Sequence, residues 1–205
     1  MIDPRDAALQ SVMPAVMVPR FTPFEPMDAI GQRLLIAANG TWLEVRLAWI
    51  YLRVLVAHPA AVTVPYGNVE GEMSFSFGKL PRAMVTQFIE VARERCPNEC
   101  AAWVVWNQTA DTVRLLMLDD EISVGHGHVR VNLPELEEDE HMILDLHSHG
   151  ETGAFFSRTD NKDDQGGCKI AGVVGNLNQE CVTTAFRLCA NGLFVTLPFD
   201  AYPKG

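Results

Sequence analysis

The chain has 205 residues, of which 48% are hydrophobic and 20% charged, and its formal net charge at pH 7 is −10. This length allows one domain with a sizeable core, or one domain with an appendage, and the composition is that of an ordinary globular protein. The negative charge argues against non-specific nucleic-acid binding, which requires a basic face. The most apolar stretch, 47–64, contains Arg53, His58 and Pro59, so no membrane-spanning segment is expected.

The start of the chain and its cysteines indicate a cellular compartment. The first residues, MIDPRDAALQ, lack the basic and apolar regions of a signal peptide, so a cytoplasmic location is expected. The five cysteines are then expected to be thiols, and their odd number leaves no closed set of disulfides. Cys96 and Cys100 do not have the C-x-x-C spacing of a zinc motif.

Residues 1–72 predict a smaller, β-containing extension. The segment up to Pro26 is rich in proline and methionine and predicts an irregular arm. Asn39-Gly40 lies between two apolar runs, which is the strongest short-range signal for a β-hairpin. The next stretch, AWIYLRVLVA, is apolar without a clear period and leaves strand and helix open.

From Met73 onward the pattern predicts an α+β or α/β domain, residues 73–205. MSFSF alternates like a strand, and LPRAMVTQFIEVARERC repeats apolar residues with helical spacing. The apolar run Cys100–Trp106 is typical of a buried central strand. A final hairpin is predicted to turn at Asn191-Gly192. Further strands are predicted at 113–118, 124–131, 142–149 and 169–176.

Two histidines stand at the end of the predicted strand MILDLHSH. His147 and His149 are two positions apart, so in a strand both side chains point to one face, as two metal ligands must. A catalytic zinc takes three protein ligands and keeps one position for water. Asp160, with Ser157 three residues before it, is the candidate third ligand, if the intervening loop returns to the strand end.

Each half of this pattern also has a plain structural interpretation. Ser157-x-x-Asp160 is nearly a helix capping box, and two histidines can simply lie on a surface. The complete spacing, however, arises by chance with a probability of about a few in ten thousand, which favours a zinc site. His126 and His128 form a second H-x-H, but the same spacing counted from His126 leads to Leu136 where a serine is needed. We interpret them as strand histidines, with a second metal site or a substrate-facing role as the alternative.

A zinc hydrolase also needs a general base that is not itself a ligand. Glu70 and Glu72 lie in a glycine-bearing loop, and Glu99 lies between the predicted helix and the central strand. Spacing alone leaves these three glutamates open, and a solvated loop residue is the alternative for Glu99.

These residues resemble the JAMM motif of the MPN-type (Mov34/PAD-like) zinc metalloproteases. The motif is H-S-H, seven residues, Ser, two residues and Asp, and CPNECAAWVV resembles the family's upstream element with its glutamate base. The resemblance covers about residues 73–205 and implies a layered, cytidine-deaminase-like α+β fold with a mixed sheet flanked by helices. It also implies that Zn²⁺ is bound by His147, His149 and Asp160, that Glu99 is the general base, and that Ser157 helps to hold the oxyanion.

The implied activity is a zinc-dependent peptidase or isopeptidase that acts on the C-terminal tail of a ubiquitin-like or sulfur-carrier-like protein. The alternatives are a non-catalytic MPN-like interaction module and a zinc hydrolase of a small amide. The chain also resembles members of the bacterial PRTRC cassettes, which implies ThiF-related, E1-like partners.

The chain departs from the family pattern at two positions where proline is common, Gly150 and Phe156. Gly150 and Gly153 predict a more flexible loop between the ligands. Asp163 and Asp164, which follow the motif, are expected to be solvated loop acids that could at most bind cations weakly.

Overall fold

The chain folds into two compact units that divide between Lys79 and Leu80. In this computed structural model the described residues are 2–59, 61, 64–118 and 134–197. The sequence predicts the division at 72/73, and the difference arises because Glu72–Phe75 pairs with the last long strand of the first unit. Each unit is built on a mixed sheet with few helices, which confirms the predicted α+β class.

The first unit contains a five-stranded sheet in the order β1-β2-β3-β4-β5. Its elements are α1 (Pro4–Val12), β1 (Ala15–Met17), β2 (Gly31–Ala37), β3 (Gly40–Arg46), β4 (Ile50–Ala57) and β5 (Glu72–Phe75). The predicted hairpin joins β2 to β3, but Ala37 pairs with Gly40, so the turn lies one residue earlier than the Asn-Gly pattern indicates. The stretch left open between strand and helix forms β4.

The irregular arm predicted for the first residues is wrong in part, because α1 forms there. Asp3 caps this helix by accepting a hydrogen bond from the Arg5 N–H at 2.9 Å. Pro4 occupies the first turn, where a missing N–H costs no intrahelical bond. None of the residues of α1 is buried, so local capping rather than packing accounts for its start.

A buried carboxylate, that of Glu44 in β3, lies inside the first unit. Its side chain is 0% exposed. It accepts hydrogen bonds from the Tyr51 hydroxyl at 2.6 Å and from the Met27 N–H at 3.0 Å, and it pairs with the Arg33 guanidinium. A buried charge persists only when it is paired and hydrogen-bonded in this way.

The second unit contains a six-stranded sheet in the order β11-β10-β9-β8-β6-β7. Its elements are α2 (Arg82–Arg95), β6 (Ala101–Asn107), β7 (Thr112–Leu118), β8 (Glu140–Ser148), α3 (Arg158–Asp163), β9 (Cys168–Gly175), β10 (Thr183–Ala190) and β11 (Leu193–Leu197). β8 lies between β6, to which it is antiparallel, and β9, to which it is parallel. Strand β8 is therefore paired on both sides, and these pairings fix the position of its carboxyl end.

The predicted helix and most predicted strands of this unit are confirmed. Val85, Phe88 and Ala92 are the buried residues of α2, at the spacing expected for one helical face. The last hairpin turns at Asn191 and Gly192, both with positive φ, as the Asn-Gly pattern predicts. The strand predicted at 124–131 lies outside the described residues. All five cysteines are free, and no helix among the described residues is long and apolar enough to cross a membrane.

Candidate metal centre

His147 and His149 lie side by side at the carboxyl end of β8. His147 pairs with Ala101 of β6 and with Val173 of β9, so its backbone is fixed from both directions. The backbone N–H of His149 donates to the carbonyl of Val174 at 2.8 Å, which continues the alignment one step beyond the strand. The two Nε2 atoms are 3.2 Å apart. The period-2 argument made from the sequence is thus confirmed in its geometry.

Asp160 reaches the same point from α3. Its Oδ1 lies 3.6 Å from His147 Nε2, and one ligand atom from each of His147, His149 and Asp160 falls within 4.8 Å of the others. Two ligand atoms at ordinary zinc bond lengths around a tetrahedral ion stand roughly 3.3 Å apart. The observed 3.2 and 3.6 Å separations match this value, so these residues fit one small divalent cation.

Ser157 and Asp160 also form a complete helix capping box. Ser157 is the N-cap of α3, its Oγ accepts the Asp160 N–H at 3.2 Å, and its own N–H donates to Asp160 Oδ2 at 2.6 Å. The two oxygens of the Asp160 carboxylate therefore have different partners, with Oδ2 on the cap and Oδ1 toward His147. The capping interaction is therefore present, and it leaves Oδ1 of the same side chain directed toward the histidines.

The electrostatics of the group favour the protonation states that bind metals. Burial lowers the pKa of His147 below the usual imidazole value, although the nearby Asp160 opposes this shift. Burial raises the pKa of Asp160, but hydrogen bonds from Ser157 and the neighbouring histidines outweigh it, so the net shift is downward. At neutral pH the group therefore offers a neutral imidazole at 147 and an ionised carboxylate, as metal ligation requires.

Glu99 lies next to this centre, at the entrance to β6. The following residue, Cys100, is hydrogen-bonded to Ser148: its carbonyl accepts from the Ser148 N–H and its N–H donates to Ser148 Oγ, both at 2.9 Å. This places Glu99 across from the end of β8, and its charge acts on the pKa of His147. The Glu99 side chain is exposed. Of the other two candidates, Glu72 lies in β5 of the first unit and pairs with Arg53 at 3.2 Å.

The loop after the histidines is held more firmly than its glycines predict. Gly150 has φ +54°, and a Cβ there would lie 2.5 Å from the carbonyl oxygen of Pro97. The Gly150 carbonyl accepts the Leu177 N–H at 3.0 Å, and the Ala154 N–H donates to Thr183 Oγ1 at 2.9 Å. Glycine at 150 is thus required by a close backbone contact, and the expectation of a loosened loop is not supported.

Sequence reasoning missed a group of charged residues that joins the end of α3 to the sheet. Asp164, expected to be solvated, is buried, with Oδ1 2.6 Å from Lys169 Nζ and Oδ2 2.6 Å from Arg187 Nη2. Lys169 also pairs with Asp145 at 2.5 Å. A usable signal was present, since strand alternation puts Asp145 on the same face as His147, and Arg187 interrupts an apolar strand. The other H-x-H pair, His126 and His128, lies outside the described residues.

Comparisons with known proteins identify the family of the second unit. The family model described as prokaryotic homologs of the JAB domain matches residues 81–189, more than half of the 205 residues. A domain of unknown function, DUF2016, matches residues 3–76. No curated protein matches the chain. Among solved structures, that of protein DSY2949 from Desulfitobacterium hafniense is similar, with 14% identity, 58% of this chain and 88% of that chain covered, and a TM-score of 0.41. The JAB-type match confirms the resemblance to the JAMM/MPN family, and the chain belongs to the prokaryotic homologs of the JAB domain.

Proposed function

We propose that the second unit is a zinc-dependent hydrolase that cleaves a peptide or isopeptide bond. The observation that carries the proposal is the convergence of His147, His149 and Asp160 at separations that suit one tetrahedral ion. Membership of the JAB family supports metal-dependent hydrolysis, since that family includes JAMM metalloproteases beside non-catalytic members. The intact ligand set favours catalysis over a purely scaffolding role.

Two imidazoles and one carboxylate are an established ligand set of catalytic zinc, and they leave a fourth position for solvent or substrate. When bound there, Zn²⁺ would supply Lewis-acid chemistry, which polarises a carbonyl and lowers the pKa of water. His147, His149 and Asp160 would hold the ion at the end of β8 and would take no part in proton transfer.

Glu99 is the general base in this proposal. Its carboxylate takes a proton from the attacking water and passes it to the leaving amine, so that the amide C–N bond breaks with a neutral leaving group. The hydrogen bonds between Cys100 and Ser148 support this role, because they hold the chain beside the histidines while the Glu99 side chain stays exposed to solvent.

Ser157 assists the developing oxyanion. Its Oγ already accepts the Asp160 N–H, so the hydroxyl hydrogen is the part that remains to donate. A donor fixed by the capping box is preorganised, which is what makes such a contact effective in the transition state.

The substrate class that we propose is the extended C-terminal tail of a ubiquitin-like or sulfur-carrier-like protein. β8 is paired on both sides, so the tail approaches across the strand ends instead of adding to β8 as a strand. The ring of Phe155, 50% exposed, packs edge-on against His149 with centroids 4.7 Å apart and offers the tail an apolar contact there. The ThiF-related, E1-like partners implied by the resemblance remain a prediction.

Metal analysis combined with an activity assay tests the proposal. We expect the purified chain to bind one equivalent of zinc, and to release amine from a fluorogenic amide of a ubiquitin-like tail in a manner abolished by a chelator and restored by zinc. A chain that takes up no zinc would contradict the proposal. A non-catalytic module would be recognised by partner binding that survives in the His147→Ala variant without any hydrolysis in the parent protein.

A further inference from the structure

Helix α3, which contains Asp160, has few features of its own that would fix its position. α3 has six residues, and none of them is buried. A helix of this length is not stable in isolation, and most helices in proteins are fixed by an apolar face packed on the core. The capping box fixes the conformation of the first turn, but it does not join α3 to the sheet. The position of Asp160 must therefore depend on other contacts.

Those contacts are polar and end on the sheet. At the end of α3, Asp164 is 6% exposed and pairs with Lys169 of β9 and Arg187 of β10, each at 2.6 Å. Lys169 in turn pairs with Asp145 of β8, two residues before His147 on the same face. α3 and the strand that carries the histidines are thus joined through a chain of opposite charges.

Arg187 contacts the chain on both sides of Asp160. Its Nη1 donates to Asn161 Oδ1, and its Nη2 pairs with Asp164 Oδ2. Its Cζ lies 3.8 Å from the ring centroid of Phe156, the residue that precedes the cap, and 4.1 Å from that of Phe194 in β11. The Arg187 guanidinium therefore contacts residues on both sides of Asp160, the predicted metal ligand.

Stability alone is a poor reason for this arrangement. Buried ion pairs are often replaceable by apolar residues without loss of stability, because the desolvation of the charges offsets their attraction. The Arg187 Nε is buried without a hydrogen-bond partner among the described residues, which adds a further cost. What the planar, forked guanidinium offers is geometry, since it fixes two acceptors at once.

We infer that Arg187 is a positioning residue for the metal centre: by holding Phe156, Asn161 and Asp164 it sets α3 so that Asp160 Oδ1 faces His147. The inference rests on the proposed function. Phe156, which stands where proline is common in the family, contributes by stacking on this guanidinium. Arg187 touches the predicted third ligand only through its neighbours, like the outer-shell partners that orient ligands in metal sites.

Zinc affinity, measured by chelator competition, and the visible spectrum of bound Co²⁺ test this inference on the full chain. Three changes are compared: Arg187→Met, Arg187→Lys, and the charge-balanced pair Asp164→Leu with Arg187→Met, which leaves Lys169 paired with Asp145. The melting temperature of each variant is measured in chelator, so that folding is judged without metal. The control is Arg114→Met, which removes a different arginine–carboxylate pair of the same sheet, the two-pronged pair with Glu140.

We expect folded Arg187 variants to bind zinc roughly 10- to 100-fold more weakly than the parent, as for other outer-shell partners, and to give an altered Co²⁺ spectrum. Arg187→Lys should not restore either property, whereas Arg114→Met should leave both unchanged. Where a single variant does not fold, the charge-balanced pair decides. If a folded Arg187→Met variant keeps the zinc affinity and Co²⁺ spectrum of the parent, or if Arg187→Lys restores both, the positioning role of Arg187 is wrong. The proposed metal centre would then still stand. A parent chain that binds no zinc would overturn the metal centre and this inference together.

Discussion

Ser157 and Asp160 hold each other through two reciprocal hydrogen bonds, of 2.6 Å from the Ser157 N–H to Oδ2 and of 3.2 Å from the Asp160 N–H to Oγ. The other carboxylate oxygen faces His147 at 3.6 Å. The sequence presents a helix cap and a metal ligand as alternatives, but the capped Asp160 still turns one carboxylate oxygen toward the histidines. The cap orients the carboxylate, and the helix supplies the return from the loop to the strand end.

The two proposed roles of Ser157 differ in what its removal should cost. In Ser157→Ala, loss of the cap should lower the free energy of unfolding by about 1 kcal/mol, the usual cost of an N-cap. Loss of an oxyanion donor should lower kcat by about 100-fold or more. Ser157→Thr keeps the hydroxyl and should retain most of both. Denaturant unfolding and steady-state kinetics separate the two effects, and a kcat within a few-fold of the parent would leave Ser157 with the capping role alone.

Asp160→Asn separates the ligand from the cap. Asparagine keeps a carbonyl oxygen for the Ser157 N–H but loses the negative charge that faces His147. We expect zinc affinity to fall by more than the roughly 100-fold that outer-shell changes cost, with only a small change in apo-protein stability. Chelator competition measures the first and thermal unfolding in chelator the second. Asp163→Asn, an exposed carboxylate of the same helix, is the control, and equal effects of both changes would move the third ligand elsewhere.

The sequence predicts that His147, His149 and Asp160 come together because the determinants of this grouping are mostly local. Two histidines on a strand meet by the period of the backbone, and a serine and an aspartate three residues apart form a cap. Contacts between residues that are far apart in the sequence cannot be predicted in this way. That Asp164 would meet Arg187 depends on where the end of α3 comes to lie relative to β10, and nothing near position 164 encodes this.

The features of the fold that the sequence does not predict also depend on contacts between distant segments. The final hairpin follows from its Asn-Gly turn, whereas the first hairpin turns one residue early because its register is set by pairing along β2 and β3. Strand β5 pairs with β4 of the sheet that precedes it, and strand alternation in the sequence does not reveal such a partner. Glu44 was missed for a similar reason: its burial depends on Arg33 and Tyr51, which only the folded sheet brings together.

Glu44 offers a test of the first unit. Glu44→Leu leaves Arg33 and the Tyr51 hydroxyl without their partner in a buried setting, which should cost roughly 3 to 5 kcal/mol of unfolding free energy. Glu72→Leu removes a half-exposed pair with Arg53 and should cost no more than about 1 kcal/mol. Denaturant unfolding monitored by circular dichroism compares the two variants. Similar losses in both would mean that the Glu44 network contributes no more than a surface pair.

Cysteine reactivity should follow burial. Burial raises the pKa of Cys168 to about 11, and burial with the nearby Asp164 raises that of Cys189 to about 12. The thiolate is the reactive form, so at pH 8 only about one Cys168 in a thousand is reactive, and its rate should rise roughly tenfold per pH unit up to its pKa. Exposed Cys181 should be alkylated first by iodoacetamide, as peptide mass spectrometry would show. Equally fast labelling of Cys168 at pH 8 would contradict the burial argument.

Glu99→Gln should stop turnover while the metal stays bound. The substitution removes the base but no ligand, so kcat should fall by about 100- to 10,000-fold with zinc content unchanged. Because the side chain is exposed, the free energy of unfolding should change by no more than about 0.5 kcal/mol. Glu94→Gln, which alters an exposed carboxylate of α2, is the control and should behave like the parent. Near-normal turnover in Glu99→Gln would show that another group accepts the proton, whereas loss of zinc would assign Glu99 to the ligand set.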